Sequence, residues 1–130
     1  MNDQHDELIQ HLKGIREIVI NKCYGGFGIS HEAELLYLKR ARIDYTTKDR
    51  TSRDETQRYG PIIFVDDKEW SGYEISRDDP VLISVIKELG QDSWGNFSEL
   101  KIIKIPADVD WDIEQYDGVE WVVEVHRKWY

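Results

Sequence analysis

A single α+β domain is the fold this chain predicts, and three observations predict it. Short β-branched runs at residues 15–20, 62–65 and 101–105 read as strands. Two stretches that follow good N-caps, Ser30 and Asp79, carry apolar residues at helical spacing. The C-terminal third alternates apolar and charged residues on both sides of an Asp-Gly pair, which is hairpin patterning. Together they predict an antiparallel β-meander ending in a hairpin and packed with two to three helices. The 130 residues suit one domain spanning 1–130, although a charged content of 33% leaves little apolar material to spare.

In chain order, Leu8, Ile9 and Leu12 predict a short amphipathic helix or ordered arm over residues 5–13, stopped at Gly14. Ile15, Ile18, Val19 and Ile20 make the first strand. The sequence NKCYGGFGIS at 21–30 then places three glycines and two aromatics at a strand-to-helix junction. Ala33, Leu35, Leu36, Leu38 and Ala41 form the next helix, with Glu32 and Glu34 near its start and Lys39, Arg40 and Arg42 near its end, in the order that complements the helix dipole. Residues 44–60 are polar with almost nothing to bury and read as a mobile insertion, or as a lid that orders over a ligand.

Residues 62–65 form a short strand. Asp79 then caps the best-defined helix, with Pro80 in its first turn, a stripe of Val81, Leu82, Val85, Ile86 and Leu89, and a stop at Gly90. The 101–105 strand ends at Pro106. In the terminal hairpin a three-residue loop, Tyr116-Asp117-Gly118, would pair Ile113 with Trp121 and Trp111 with Val123. That register puts both apolar sets on one face, so it is expected over the two-residue Asp117-Gly118 turn. It also gathers Asp110, Asp112, Glu114, Glu120 and Glu124 on the other face, at a repulsive cost that solvent, Lys101 and Lys104, a metal ion or a basic partner would relieve.

A net charge of −9 argues against general nucleic-acid binding, which needs a basic face. Cys23 is the only cysteine, so neither an intramolecular disulfide nor a cysteine-rich zinc site forms. The polar start MNDQHDELIQ has no signal-peptide core, and no apolar run approaches a membrane span. An intracellular, soluble, cytoplasmic protein is expected, with no cofactor and no metal. His5, His11, His31 and His126 lack the HxxxH and HExxH spacings of local metal motifs.

The glycine loop is the leading candidate site. Glycines admit close approach of a ligand, amides opening a helix suit an anion, and Tyr24 and Phe27 can flank a flat ring. The loop also reads as a plain chain reversal, since neither GxxxxGK[ST] nor GxGxxG is present. Gly25, Gly26 and Gly28 supply its backbone, and Lys22, Arg77 and Arg127, with Lys128, would add positive charge if the segments meet. Trp94 and Trp129 are further stacking candidates, and QDSWGNF at 91–97 is a second glycine-aromatic loop. The same arginines can instead pair with local acids such as Asp78 and Asp79. Cys23 as a nucleophile helped by His31 or His126 is the weaker reading, because a lone cysteine beside a strand is usually core filling.

NKCYGGFGIS, together with RDDPVLISVIKELG and LKIIKIPADVDWDIEQYDGVEWVVEVHRKW, resembles a family of small bacteriophage and prophage proteins that carries no assigned activity. No catalytic residue is therefore carried over. The resemblance spans most of the chain outside the N-terminal arm and residues 44–75, and the charged stretch around 48–58 departs from it. It implies a phage setting, in which compact non-enzymatic proteins disable host defences by binding. The resulting expectation is a binding protein that sequesters a small phosphorylated, nucleotide-like ligand through Lys22, Tyr24, Gly25, Gly26, Phe27, Gly28, Arg77 and Arg127, with self-association allowed. The alternative is an acidic interaction protein whose Asp110, Asp112, Glu114, Glu120 and Glu124 face mimics nucleic acid on a basic host protein.

Overall fold

The computed structural model describes residues 14–125. The helix expected over 5–13 lies outside them, as do His126, Arg127, Lys128 and Trp129. In chain order the elements are β1 (Ile15–Asn21), α1 (His31–Arg40), β2 (Thr46–Lys48), α2 (Arg53–Tyr59), β3 (Ile62–Val65), β4 (Lys68–Trp70), a 3-10 turn (Gly72–Glu74), α3 (Pro80–Leu89), a second 3-10 turn (Gly90–Ser93), β5 (Leu100–Pro106), β6 (Trp111–Tyr116) and β7 (Val119–Glu124). Among the described residues this is a small α+β domain whose strands all pair antiparallel.

Three ladders make up the β structure. β1 pairs with β5 along its whole length, Ile18 opposite Ile103, so the first and fifth strands meet across most of the chain. β2, β3 and β4 form a small meander, and β6 and β7 form the terminal hairpin. The helices are capped where the sequence predicts. Ser30 Oγ accepts from Ala33 N (3.1 Å), and Asp79 Oδ1 accepts from Val81 N (2.8 Å).

The core lies between β1 and the facing sides of α1 and α3, where Val19, Ala33, Leu38, Leu82 and Val85 are fully buried. Such burial is worth about 1.5–3 kcal/mol per large aliphatic side chain. Tyr37 stacks on Trp70 at 6.1 Å between ring centres, and its hydroxyl donates to Asp79 Oδ2 (2.7 Å). Burial and the adjacent Asp79 carboxylate push the Tyr37 phenol up to about 12.

The 44–60 segment, expected to be a polar insertion, carries β2 and α2. Ser52 Oγ accepts from Glu55 N (3.4 Å) at the start of α2, and Gly60 ends that helix. No residue of α2 is buried, so this helix is held by polar contacts.

The hairpin register differs from the expected one. The turn is the two-residue Asp117-Gly118, with φ of 49° and 88°, and Ile113 pairs with Val122, Trp111 with Glu124, and Glu114 with Trp121. Positive φ at both turn positions matches the right-handed twist of the flanking strands, which a longer loop does not need to provide. Glu120 therefore turns inward at 7% exposure, while Trp121 is 41% exposed. The five acids do not share a face: Asp112 and Glu114 stand opposite Val123 and Trp121, while Glu120 and Glu124 stand on the side of Trp111 and Ile113. The predicted like-charge pairs are absent from this register.

Candidate functional site

The glycine loop does form a wall of a cavity. Gly25, Gly26, Phe27 and Gly28 line a concavity of about 320 Å³ with Ile29, Ser30, His31 and Glu34 from the start of α1. Its other walls are Arg50, Arg58 and Tyr59 from the β2–α2 segment, Ser71, Gly72 and Tyr73 around the first 3-10 turn, and Gly95, Asn96, Phe97 and Ser98 from the second glycine loop.

Local chemistry holds these walls together. Gly95 N and Ser98 Oγ donate to Gly28 O at 3.0 and 2.7 Å, so the QDSWGNF and NKCYGGFGIS loops lie side by side. Asn21 anchors the base of the first loop and is fully buried. Its Nδ2 donates to Cys23 O and Gly118 O (2.7 Å each), while its Oδ1 accepts from Glu99 N (2.8 Å). A buried amide with this many partners is a structural node.

The predicted basic residues are not the ones the structure brings to the cavity. Lys22 is exposed and does not line it, and Arg127 lies outside the described residues. Arg77 donates from Nη1 and Nη2 to the two carboxylate oxygens of Glu120 (2.7 and 2.8 Å), and its guanidinium sits 3.4 Å from the Phe27 ring centre. Its charge is thus spent on a buried acid and an aromatic face, not on a ligand. Tyr24 is 78% exposed and does not line the cavity. Phe27 is 4% exposed, packed under Tyr73 edge to face at 6.2 Å, and contributes a floor. Cys23 Sγ donates to Phe97 O (3.2 Å) and to Asn21 Oδ1 (3.4 Å), and Cys23 does not line the cavity that His31 lines.

The cavity's positive charge comes from Arg50 and Arg58. Among the described residues neither takes part in a salt bridge. Arg50 is positioned by its own segment: its backbone N donates to Thr56 Oγ1 (2.8 Å), its Nε to Gly60 O (2.9 Å), and its guanidinium lies 5.7 Å from the Tyr59 ring centre. Asn96 Nδ2 donates to Arg58 O (3.2 Å), tying α2 to the second glycine loop. Tyr59, Tyr73 and Phe97 leave much of their rings exposed at the cavity.

One acid enters this wall. Glu34 Oε2 accepts from Gly72 N (2.8 Å) and Oε1 lies 3.8 Å from His31 Nδ1. Burial pushes the Glu34 carboxyl up, against the Gly72 amide and Arg50, which pull it down. Burial, with Arg50 nearby, pushes the His31 imidazole down.

Arg50, Arg58 and Tyr59 sit in the stretch that reads as an insertion, and only one signal marked it. The S-R-D-E run at 52–55 is a capping-box sequence that opens a helix. No protein-family model, curated protein or solved structure matches the chain, so the reading of the site rests on its own geometry.

Proposed function

We propose that the chain is a non-enzymatic binding protein that retains a small phosphorylated ligand bearing a flat ring, of nucleotide type, in the Arg50/Arg58 cavity. The observation that carries this reading is the meeting, in one concavity of a chain with net charge −9, of exposed Tyr59, Tyr73 and Phe97 with two arginines that take part in no ion pair among the described residues. Guanidinium groups match phosphate oxygens in charge and geometry, and aromatic rims stack on bases. A volume of about 320 Å³ is at the small end of ligand sites, roughly 300–1,000 Å³, and suits a mononucleotide-sized molecule better than a polymer. Ser30 and His31 add the opening of α1, whose dipole favours an anion. In the phage setting implied by the resemblance, retention would withhold a signal nucleotide from a host response. Among the described residues no helix is long and apolar enough to cross a membrane.

The test is mass spectrometry of small molecules released by heat from purified protein after incubation with a nucleotide mixture and gel filtration. A nucleotide retained near one per chain and released unchanged supports the reading, and Arg50→Ala and Arg58→Ala should lose it while keeping the wild-type circular dichroism. A folded wild type that retains nothing overturns it. Release of a converted product overturns the non-enzymatic part.

A further inference from the structure

Among the described residues that line the Arg50/Arg58 cavity, His31 is the one with a buried polar side-chain atom left without a hydrogen bond, its Nδ1. The nearest acid is Glu34, whose Oε2 is already held by Gly72 N while Oε1 stops 3.8 Å short of that nitrogen. That spacing is too long for a hydrogen bond and close enough for one to form with a small side-chain shift once Nδ1 carries a proton. Nε2 is then the nitrogen left for a ligand in the cavity the ring lines.

Resting on the pocket reading above, we propose that a terminal phosphomonoester entering beside Arg50 and Arg58 recruits His31 as a third cation: the ring takes a proton from solvent, Nδ1–H turns to Glu34, and Nε2–H faces the phosphate. The only bond changes are those of proton transfer: the buffer acid gives up a proton and becomes its conjugate base, and an N–H bond forms on the ring. The charged groups acting on the ring are Glu34 on its own helix, 3.8 Å from Nδ1, and Arg50 ahead of α2, while Arg58 and Tyr59 from α2 and Tyr73 from the 3-10 turn line the same cavity. Gly60 packs against the ring and leaves it little room to turn away. Burial and Arg50 push the imidazole down, which favours its neutral form. A phosphate dianion reverses that balance, because its charge favours the imidazolium and screens the arginines. A monoester has a second ionisation near about 6 and offers this dianion at neutral pH, whereas a diester offers one charge. The site therefore selects terminal phosphates over bridging ones, and does so more strongly as pH falls toward neutrality.

The experiment is calorimetric titration of the folded chain with AMP, 3′,5′-cyclic AMP and adenosine, in phosphate-free buffers of different ionisation enthalpy. AMP should bind with uptake of about 0.5–1 proton at pH 7.5 and weaken about three- to tenfold from pH 7 to pH 8. Cyclic AMP should bind at least about tenfold more weakly with no uptake. His31→Gln should abolish the uptake and flatten the pH dependence. Glu34→Gln, which keeps an acceptor for Gly72 N, should diminish both and stands in if the first variant does not fold. AMP binding without proton uptake, uptake that persists in His31→Gln, or equal affinity for cyclic AMP overturns this proposal and leaves the cavity reading intact. Failure of both nucleotides to bind the folded wild type overturns both.

Discussion

Arg77 grips Glu120 through Nη1 and Nη2, at 2.7 and 2.8 Å, and the same carboxylate accepts from Asn21 N at 2.8 Å. One acid thereby joins the terminal hairpin to the end of β1 and to the segment leading into α3. Phe27 closes the arrangement from the glycine loop. The cavity wall and the hairpin are thus parts of one buried network.

Removing one side of that network should cost stability before it touches binding. Arg77→Ala leaves Glu120 buried without its cation and is expected to destabilise the fold by about 3 kcal/mol, read from the urea midpoint. Arg77→Met with Glu120→Leu should recover much of that loss. An Arg77→Ala protein of wild-type stability would show that the ion pair is not structural.

Gly60 has φ 77° and ψ 171°, a region open essentially only to glycine, and a Cβ there would overlap the His31 ring. Gly60→Ala should therefore cost about 2–3 kcal/mol, because strain and overlap act together. Thermal melting measures the cost, and movement of the His31 ring resonances in NMR locates it. Unchanged His31 resonances would contradict the packing described.

Tyr37 should remain a phenol to unusually alkaline pH. Its value is raised to about 12 in the folded chain against 10.0 for the free group, so the native state holds the proton more tightly. The stability this contributes is fully present below pH 10 and is lost as pH rises through about 12. Ultraviolet titration of wild type against Tyr37→Phe isolates this group. The variant should also lose about 1 kcal/mol at neutral pH with the Asp79 hydrogen bond.

His31 and Glu34 should move stability in opposite senses on acidification. The folded His31 value lies below 6.5, so the unfolded chain binds the proton first and stability falls as pH drops below 6.5. The folded Glu34 value lies above 4.5, so its contribution is present below 4.5 and lost as pH rises through the folded value. Urea denaturation from pH 7 to 5 should show wild type losing stability relative to His31→Gln, and NMR should place His31 titration below 6.5 in the free protein.

Local chemistry was legible wherever neighbours in the chain decide the outcome. The caps at Ser30 and Asp79, the strands β1, β3 and β5, and the helix stop at Gly90 follow from spacing and side-chain type. The glycine loop, read as a candidate binding site or a plain chain reversal, lines the cavity through Gly25, Gly26, Phe27 and Gly28. Arg50 and Arg58 were not legible as site residues, because α2 buries nothing and so leaves no apolar period to read. The hairpin register was misread for a related reason. Alternation counts Trp121 as an inward residue and Glu120 as an outward one, and only Arg77 and Asn21, far away in the chain, reverse the two.

The sequence by itself determined the α+β class, the capped helices and the glycine-rich strand-to-helix turn at 21–30, since each depends on contacts a few residues apart. The tertiary structure decided which charges are spent and which are free. Arg77, a ligand candidate or a partner of local acids by sequence, is held by Glu120, and Arg50 and Arg58, from a stretch that reads as a mobile insertion or a lid, line the cavity. Charge availability depends on partners brought together by β1–β5 pairing and by helix packing, and those distances are not encoded in local spacing.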